Sequence, residues 1–236
     1  MIEVKNISKV YGKKDNLFIA LKDVNLSIPD GATVAIIGKS GSGKSTLMHV
    51  MSGIDHPNDG QVIIDGQDLH NLKRKAMDKF RAEEMSFIFQ SFFVEANQSC
   101  YQNVVLPLEI AEVPQRRRRE MVEKALGRVE LLDKINSKAK DLSGGQKQRL
   151  AIARSIVNKP KYIFADEPTG NLDTITGETI IKLLFDLNKN LGCTICIVTH
   201  DEELASRCQM QIYIKDGEVQ YVNDSKSKKF AKVAAR

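Results

Sequence analysis

Gly38-Lys39-Ser40-Gly41-Ser42-Gly43-Lys44-Ser45 fits the pattern G-x-x-x-x-G-K-[ST], and its residue types explain what such a run can hold. Glycines let the backbone curl until several N–H groups converge on one concavity, and a helix starting there adds its positive end. That is a seat for phosphate. Lys44 is placed to reach β- and γ-phosphates, the Ser45 hydroxyl to ligate Mg²⁺, and Thr46 opens the helix that follows. Asp166 and Glu167 close the run Tyr162-Ile163-Phe164-Ala165-Asp166-Glu167. A buried strand ending in two carboxylates is costly without a cation. Asp166 is therefore read as a partner of Mg²⁺ through water, and Glu167 as the base for an attacking water. The plainer alternative is an acidic pair at a helix start before Pro168. Val198-Thr199-His200-Asp201 ends another apolar run, where His200 can hydrogen-bond a γ-phosphate and stabilise charge in a transition state. Leu142-Ser143-Gly144-Gly145-Gln146 precedes a helical stretch; Ser143 can cap it and the glycines expose N–H groups at its positive end. By itself that segment is either a turn with a cap or a second anion site.

The elements that must position these residues are legible as hydrophobic periods. Ile2, Val4 and Ile7, then Val24, Leu26 and Ile28, alternate as strands before the turn Pro29-Asp30-Gly31. Val34-Ala35-Ile36-Ile37 is a continuous apolar run, as a strand buried on both faces would be, and it feeds the phosphate loop directly. Tyr162–Ala165 and Thr194–Val198 are two more such runs, with Ile180, Ile181, Leu184 and Leu187 on one helical face between them. Asp65-Gly66 suits a type I′ hairpin after Val62-Ile63-Ile64, and Ile212–Val219 repeats the signal with Asp216-Gly217. From about Phe92 to Ile156 the chain reads as helices, clearest over Arg116–Glu130 and Gln146–Val157. Strand, helix, strand with an inserted helical block predicts a mostly parallel α/β core, in which ligands lie at the carboxyl ends of the strands. No internal repeat is visible, and from about Asn223 the chain reads as a tail.

The 236 residues are 42 % hydrophobic and 28 % charged, an ordinary globular composition for a chain able to bury roughly 70–75 % of its unfolded surface. No apolar stretch approaches the roughly 20 residues that span a bilayer. The start, Met1-Ile2-Glu3-Val4-Lys5, is acidic where a secretory signal would be basic and apolar, and four cysteines make no disulfide scaffold, so a reducing cytosol is expected. The net charge of +5 is local, in Arg116–Arg119 and in Lys226, Lys228, Lys229, Lys232 and Arg236. Such runs read first as solvated faces, otherwise as contacts to an anionic surface or nucleic acid.

Taken together, these motifs resemble an ATP-binding-cassette (ABC) ATPase over nearly the whole chain, and Leu142–Gln146 is identical to that family's signature. The order also resembles the family's: an aromatic A-loop at Tyr11, Walker A at Gly38–Ser45, a Q-loop at Gln90, the signature, Walker B at Tyr162–Asp166 with Glu167, a D-loop at Gly170-Asn171-Leu172-Asp173, and a switch histidine at His200. The resemblance implies a P-loop NTPase (RecA-like) fold: a mostly parallel sheet core, an N-terminal antiparallel β-subdomain and an inserted α-helical subdomain. The ABC domain would span residues 1–222, with 91–156 as the helical insert and 223–236 as a basic tail. It implies ATP and Mg²⁺ as cofactors. Tyr11 would stack on adenine, and Gly38, Lys39, Ser40, Gly41, Ser42, Gly43, Lys44, Ser45 and Thr46 would hold the phosphates. Ser45, Gln90 and Asp166 would serve the metal, and Glu167, His200, Gln90 and Lys44 the chemistry. Two cassettes would face head to tail, so that Leu142, Ser143, Gly144, Gly145 and Gln146 of one close on the ATP of the other while Asp173 crosses the interface.

The same resemblance implies a homodimer, or a heterodimer with a second ABC ATPase, bound to an integral-membrane permease. The chain would be cytoplasmic, peripheral on the inner face of the cell membrane through that permease, and a nucleic-acid partner is not expected, Arg116–Arg119 being the one run that keeps it open. Asp166–Asp173, and Phe89-Gln90 with a following Phe, resemble the macrolide-exporter and lipoprotein-release group, whose substrates include antimicrobial peptides, macrolides and lipoproteins; the ATPase of an ABC importer is the alternative within transport. Val94–Asn103 departs from that group, and Gln102 stands where Glu is common, in a region that normally receives the permease's coupling helix.

Three rivals fit less well. A GTPase needs Asn-Lys-x-Asp, and Asn188-Lys189-Asn190-Leu191 lacks the Asp. Cys193 and Cys196 are three apart, which in a strand points the thiols to opposite faces, against a zinc or redox pair. Non-transport ABC ATPases of DNA repair or translation carry coiled-coil insertions or two cassettes, and neither suits this length.

Overall fold

The computed structural model describes residues 1–13 and 16–225, and the backbone of 230–232. In chain order the elements are β1 (Ile2–Tyr11), β2 (Phe18–Ile28), β3 (Thr33–Ile37), α1 (Lys44–Met51), β4 (Asp59–Ile64), β5 (Gln67–Asp68), α2 (Arg74–Glu84), β6 (Met85–Ile88), α3 (Cys100–Ile110) and α4 (Gln115–Arg128). They continue with α5 (Gly144–Ile156), β7 (Tyr162–Asp166), α6 (Thr174–Leu191), β8 (Thr194–Thr199), α7 (Glu202–Arg207), β9 (Met210–Lys215), β10 (Glu218–Asp224) and β11 (Phe230–Lys232). Two units divide the chain, one of Met1–Asp78 with Thr194–Arg236, the other of Lys79–Cys193.

The first unit holds two sheets. One is antiparallel, ordered β2-β1-β4-β5, with Val4 opposite both Leu26 and Val62. Its buried face follows the alternation Ile2, Val4 and then breaks parity to Ile7. A register shift between Val4 and Ile7 absorbs the extra residue, and Asn6 takes φ 52° there with its N–H bonded to Asn25 Oδ1 at 2.9 Å. In the other sheet β3 lies between β8 and β9, parallel to both, and β10 runs antiparallel beside β9. Val34, Ala35 and Ile36 are fully buried, as are all six residues of β8, which is what continuous apolar runs in a covered parallel sheet require. α1 packs on β8 and α7 on β3. Both Asp-Gly turns have positive φ at each central residue, 51° and 80° at Asp65-Gly66, 51° and 82° at Asp216-Gly217. These are the type I′ turns the sequence predicts.

The second unit pairs β6 with β7 in parallel, Phe87 opposite Phe164 with ring centroids 5.6 Å apart. α3, α4 and α5 pack on one another, and α5 reaches β6 and α6. The two clearest predicted helices are α4 and α5. α2 and β6 are additions to the sequence reading: α2 buries Met77 as its single buried residue and β6 has four residues, too little for a period to show. No helix among the described residues is long and apolar enough to cross a membrane. The expected tail boundary at 223 falls inside β10, which runs to Asp224, and Phe230–Lys232 pairs antiparallel with Tyr221–Asn223. Lys226, Lys228, Lys229 and Arg236 lie outside the described residues.

Candidate nucleotide site

In the first unit the phosphate loop links the end of β3 to α1. Gly43 is the N-cap of α1 with φ 104°, and a Cβ there would lie 2.5 Å from the Ala20 carbonyl oxygen, so no other residue fits. Its own carbonyl accepts the first helical bond from Leu47 N–H at 2.8 Å. Lys44, 8 % exposed, curls back so that Nζ donates to the Lys39 carbonyl at 2.9 Å. Ser42 is buried and its Oγ has no partner among the described residues, a hydroxyl left for a ligand oxygen. The loop is braced from behind: Gly217 N–H donates to the Ser42 carbonyl at 3.0 Å, and the Gly217 carbonyl accepts from Lys22 N–H at 2.9 Å.

His200 follows β8 directly and is exposed. Because Ile37 and Thr199 are opposite each other in parallel strands, the next residues, Gly38 and His200, leave the sheet at the same end. Asp201 is structural: its Oδ1 accepts from Glu203 and Leu204 N–H as the cap of α7. Tyr11 closes the other side of the loop helix, hydrogen-bonded to the Thr46 side chain. Its hydroxyl donates to Asp55 Oδ2 at 2.6 Å, and Lys9 Nζ lies 4.8 Å from the ring centroid while binding Asp55 Oδ1 at 2.7 Å. Burial first, then the Asp55 carboxylate, raises the Tyr11 pKa. Desolvation opposes ionisation of Asp55, but the bonds from Lys9, Tyr11 and His56 N–H together hold its carboxyl below the ordinary range.

The second unit gathers the remaining candidates. Ile88 and Ala165 are partners in parallel strands, so Gln90 on one side and Asp166 and Glu167 on the other leave at the same end. Glu167 takes φ 44°, and Gly170 N–H donates to its carbonyl at 3.0 Å. Asn171 Nδ2 donates to the Gln90 carbonyl at 3.0 Å, joining the segment after Glu167 to the one after β6. Ser143 caps α5 through a reciprocal box: its Oγ accepts from Gln146 N–H at 3.3 Å and its own N–H donates to Gln146 Oε1 at 3.0 Å. Leu142 is buried; Gly144 is exposed at the first position of the helix. A Cβ on Gly145 would meet Thr176 Cγ2 at 2.5 Å, so glycine lets α5 approach α6. Asp173 caps α6, accepting from Thr176 N–H at 3.0 Å and Oγ1 at 2.6 Å, and these bonds lower its pKa. Ser143–Gln146 and Asn171–Asp173 line one open cleft of about 480 Å³.

The candidates therefore fall into two sets. Tyr11, Gly38–Thr46 and His200 belong to the first unit; Gln90, Leu142–Gln146, Asp166, Glu167 and Asp173 belong to the second. By residue type alone, Ser45 of the first unit offers a hydroxyl, and Gln90 and Asp166 of the second an amide carbonyl and a carboxylate, each an oxygen donor of the kind a hard Mg²⁺ takes. Cys193 and Cys196 are buried, and burial pushes their thiols up to about 11 and about 12. Both are inert core residues at neutral pH. Sequence reasoning passed over Asp55, Lys9 and Gln148, whose contacts lie far along the chain; Asn171 was visible only as part of a motif.

Comparison with known proteins accords with this geometry. The ABC transporter family profile matches residues 21–170. A lipoprotein-releasing system ATP-binding protein, LolD of Syntrophus aciditrophicus, is 40 % identical over 219 residues, 93 % of this chain and 98 % of that one. The macrolide export ATP-binding/permease protein MacB of Bdellovibrio bacteriovorus is 42 % identical over 220 residues, 93 % of this chain and 33 % of that longer protein. Among solved structures, the ATP-binding cassette MJ0796 of Methanocaldococcus jannaschii, dimeric with ADP and Pi after hydrolysis, superposes with a TM-score of 0.86 at 39 % identity, covering 95 % of this chain and 98 % of that one.

Proposed function

Because this chain belongs to the ABC transporter family and is an ATP-hydrolysing subunit of LolD and MacB type, we propose that its ATP-driven dimer powers a membrane permease that extracts or exports an amphipathic cargo. Lipoproteins, macrolides and antimicrobial peptides are the cargo classes in view. The observation that carries the reading is the capped start of α5, which lines an open cleft together with the residues before α6. A helix start with free N–H groups is an anion site, and one chain already has a phosphate loop. The second site is therefore used in trans, on the triphosphate held by the loop of a second copy, and two ATP bind per dimer.

In this reading the loop N–H groups and Lys44 bind the phosphates, Tyr11 presents the open face of its ring to adenine, and Ser42 supplies a further hydroxyl. Mg²⁺, when bound, neutralises phosphate charge, with Ser45, Gln90 and Asp166 as the residues that would hold it. Glu167 takes the proton of the attacking water, Gln90 orients that water, and His200 stabilises charge growing on the γ-phosphate. Catalysis is positional and electrostatic. ATP stabilises the closed dimer and hydrolysis releases it, a population shift driven by differential binding.

An apolar groove in the second unit supports a permease partner. Met85, Phe87, Leu106, Pro107 and Ile110 line it with Arg81 and Arg154, and Leu106 and Ile110 are 45 % and 64 % exposed. A short amphipathic helix with an acidic flank suits it. Glu167→Gln should keep ATP affinity, trap a dimer visible by size-exclusion chromatography, and cut turnover roughly 10²- to 10⁴-fold. Parental turnover in that variant would overturn Glu167 as base, and a monomer at saturating ATP and Mg²⁺ would overturn the trans site.

A further inference from the structure

Gln148 lies one turn beyond the Ser143 cap on α5 and is fully buried. Its neighbours on the helix, Leu150, Ala151 and Ile152, are buried and apolar. An amide in such a place is costly unless its polar atoms are paired. Only one is: Nε2 donates to the Pro168 carbonyl at 2.5 Å, while Oε1 has no partner among the described residues. A leucine of similar volume would escape that penalty, so the one bond the amide makes is what sets it apart from an apolar side chain here.

That bond grips the residue next to Glu167. With φ 44°, Glu167 has a left-handed backbone, which a non-glycine residue holds only where its surroundings over-determine it. Two bonds do so. Gly170 N–H fastens the Glu167 carbonyl at 3.0 Å, and Gln148 fastens the Pro168 carbonyl from the side of the signature helix. We propose that Gln148 is a positioning residue for Glu167, holding the strained turn that aims its carboxylate and tying that turn to the helix whose start meets the partner's nucleotide. Engagement of the cleft at Ser143–Gln146 is thereby felt at the base through one side chain. The inference rests on Glu167 being the base, as read above.

Two variants of the full chain test it. Gln148→Leu keeps the volume and removes the donor; kcat for ATP should fall roughly 10- to 100-fold while the affinity for a fluorescent ATP analogue stays within about twofold. Gln148→Glu matches the parent's shape and donates to Pro168 when protonated, but presents only acceptors to that carbonyl when ionised. Burial favours the protonated form, so the ratio of its kcat to the parent's should climb as pH falls from about 8.5 to 6.5, a response a purely structural role would not give. If the leucine variant fails to fold, this profile alone decides. Parental kcat in Gln148→Leu, equal loss of affinity and kcat, or a flat ratio for Gln148→Glu would overturn the inference. Parental turnover in Glu167→Gln overturns the base instead, so the two readings fail on different variants.

Discussion

Asp55 carries the contacts that converge on Tyr11. It accepts the phenol proton on one oxygen and the Lys9 ammonium on the other, and Lys9 in turn approaches one face of the ring. One face of Tyr11 is thus met by Lys9, and its hydroxyl is anchored to Asp55. Asp55→Asn keeps the shape but loses the charge that holds Lys9. ATP affinity should fall roughly 3- to 10-fold with kcat at saturation unchanged, measured by titration and steady-state turnover. Since the folded pKa of Asp55 is depressed, its contribution is complete at neutral pH and is lost as acid carries the solution down through that lowered value. Tyr11 entered the sequence reading only through the family resemblance, as its aromatic A-loop residue. Asp55 was not, because a carboxylate 44 positions away announces nothing until β1 and the segment before β4 are brought together.

At the scale of elements, α3 shows how a departure in sequence can leave a local structure intact. Gln102 accepts from Ser99 N–H at 2.9 Å and Ser99 Oγ accepts from Gln102 N–H at 3.1 Å, a complete capping box in which glutamine serves as well as glutamate. Asn103, 2 % exposed, then folds the preceding stretch back, with Oδ1 accepting from Glu95 N–H at 2.7 Å and Nδ2 donating to the Ser99 carbonyl at 3.0 Å. The unusual segment 94–103 is therefore built and capped, whatever it has changed in what it meets. Ser99→Ala should lower stability by about 1 kcal/mol in urea denaturation. The strands of the parallel sheet were legible because burial on both faces leaves an uninterrupted apolar run. α2 and β6 were not, since one is polar nearly all round and the other is shorter than any period.

For the whole molecule, the order of motifs was legible and their grouping was not. The boundary between the units falls at Asp78, inside α2, and again at Cys193, at the edge of β8, with no glycine, proline or serine run to mark either. Strand pairing sets which chain ends coincide within each unit: β3 with β8 puts Gly38 and His200 at one end, and β6 with β7 does the same for Gln90 and Glu167. The Asp216-Gly217 turn adds a dependence that motif order hides. It supports the phosphate loop through a main-chain bond to Ser42 and is itself hung from Lys22. Gly217→Val, which strains the turn at φ 82° and would set a Cβ 3.0 Å from the Ala20 carbonyl oxygen, leaves every recognisable nucleotide motif in place and should still weaken ATP binding roughly 3- to 10-fold by calorimetry. The β9–β10 ribbon is the back wall of the seat, and loads applied to those strands would be expressed as altered grip on the triphosphate.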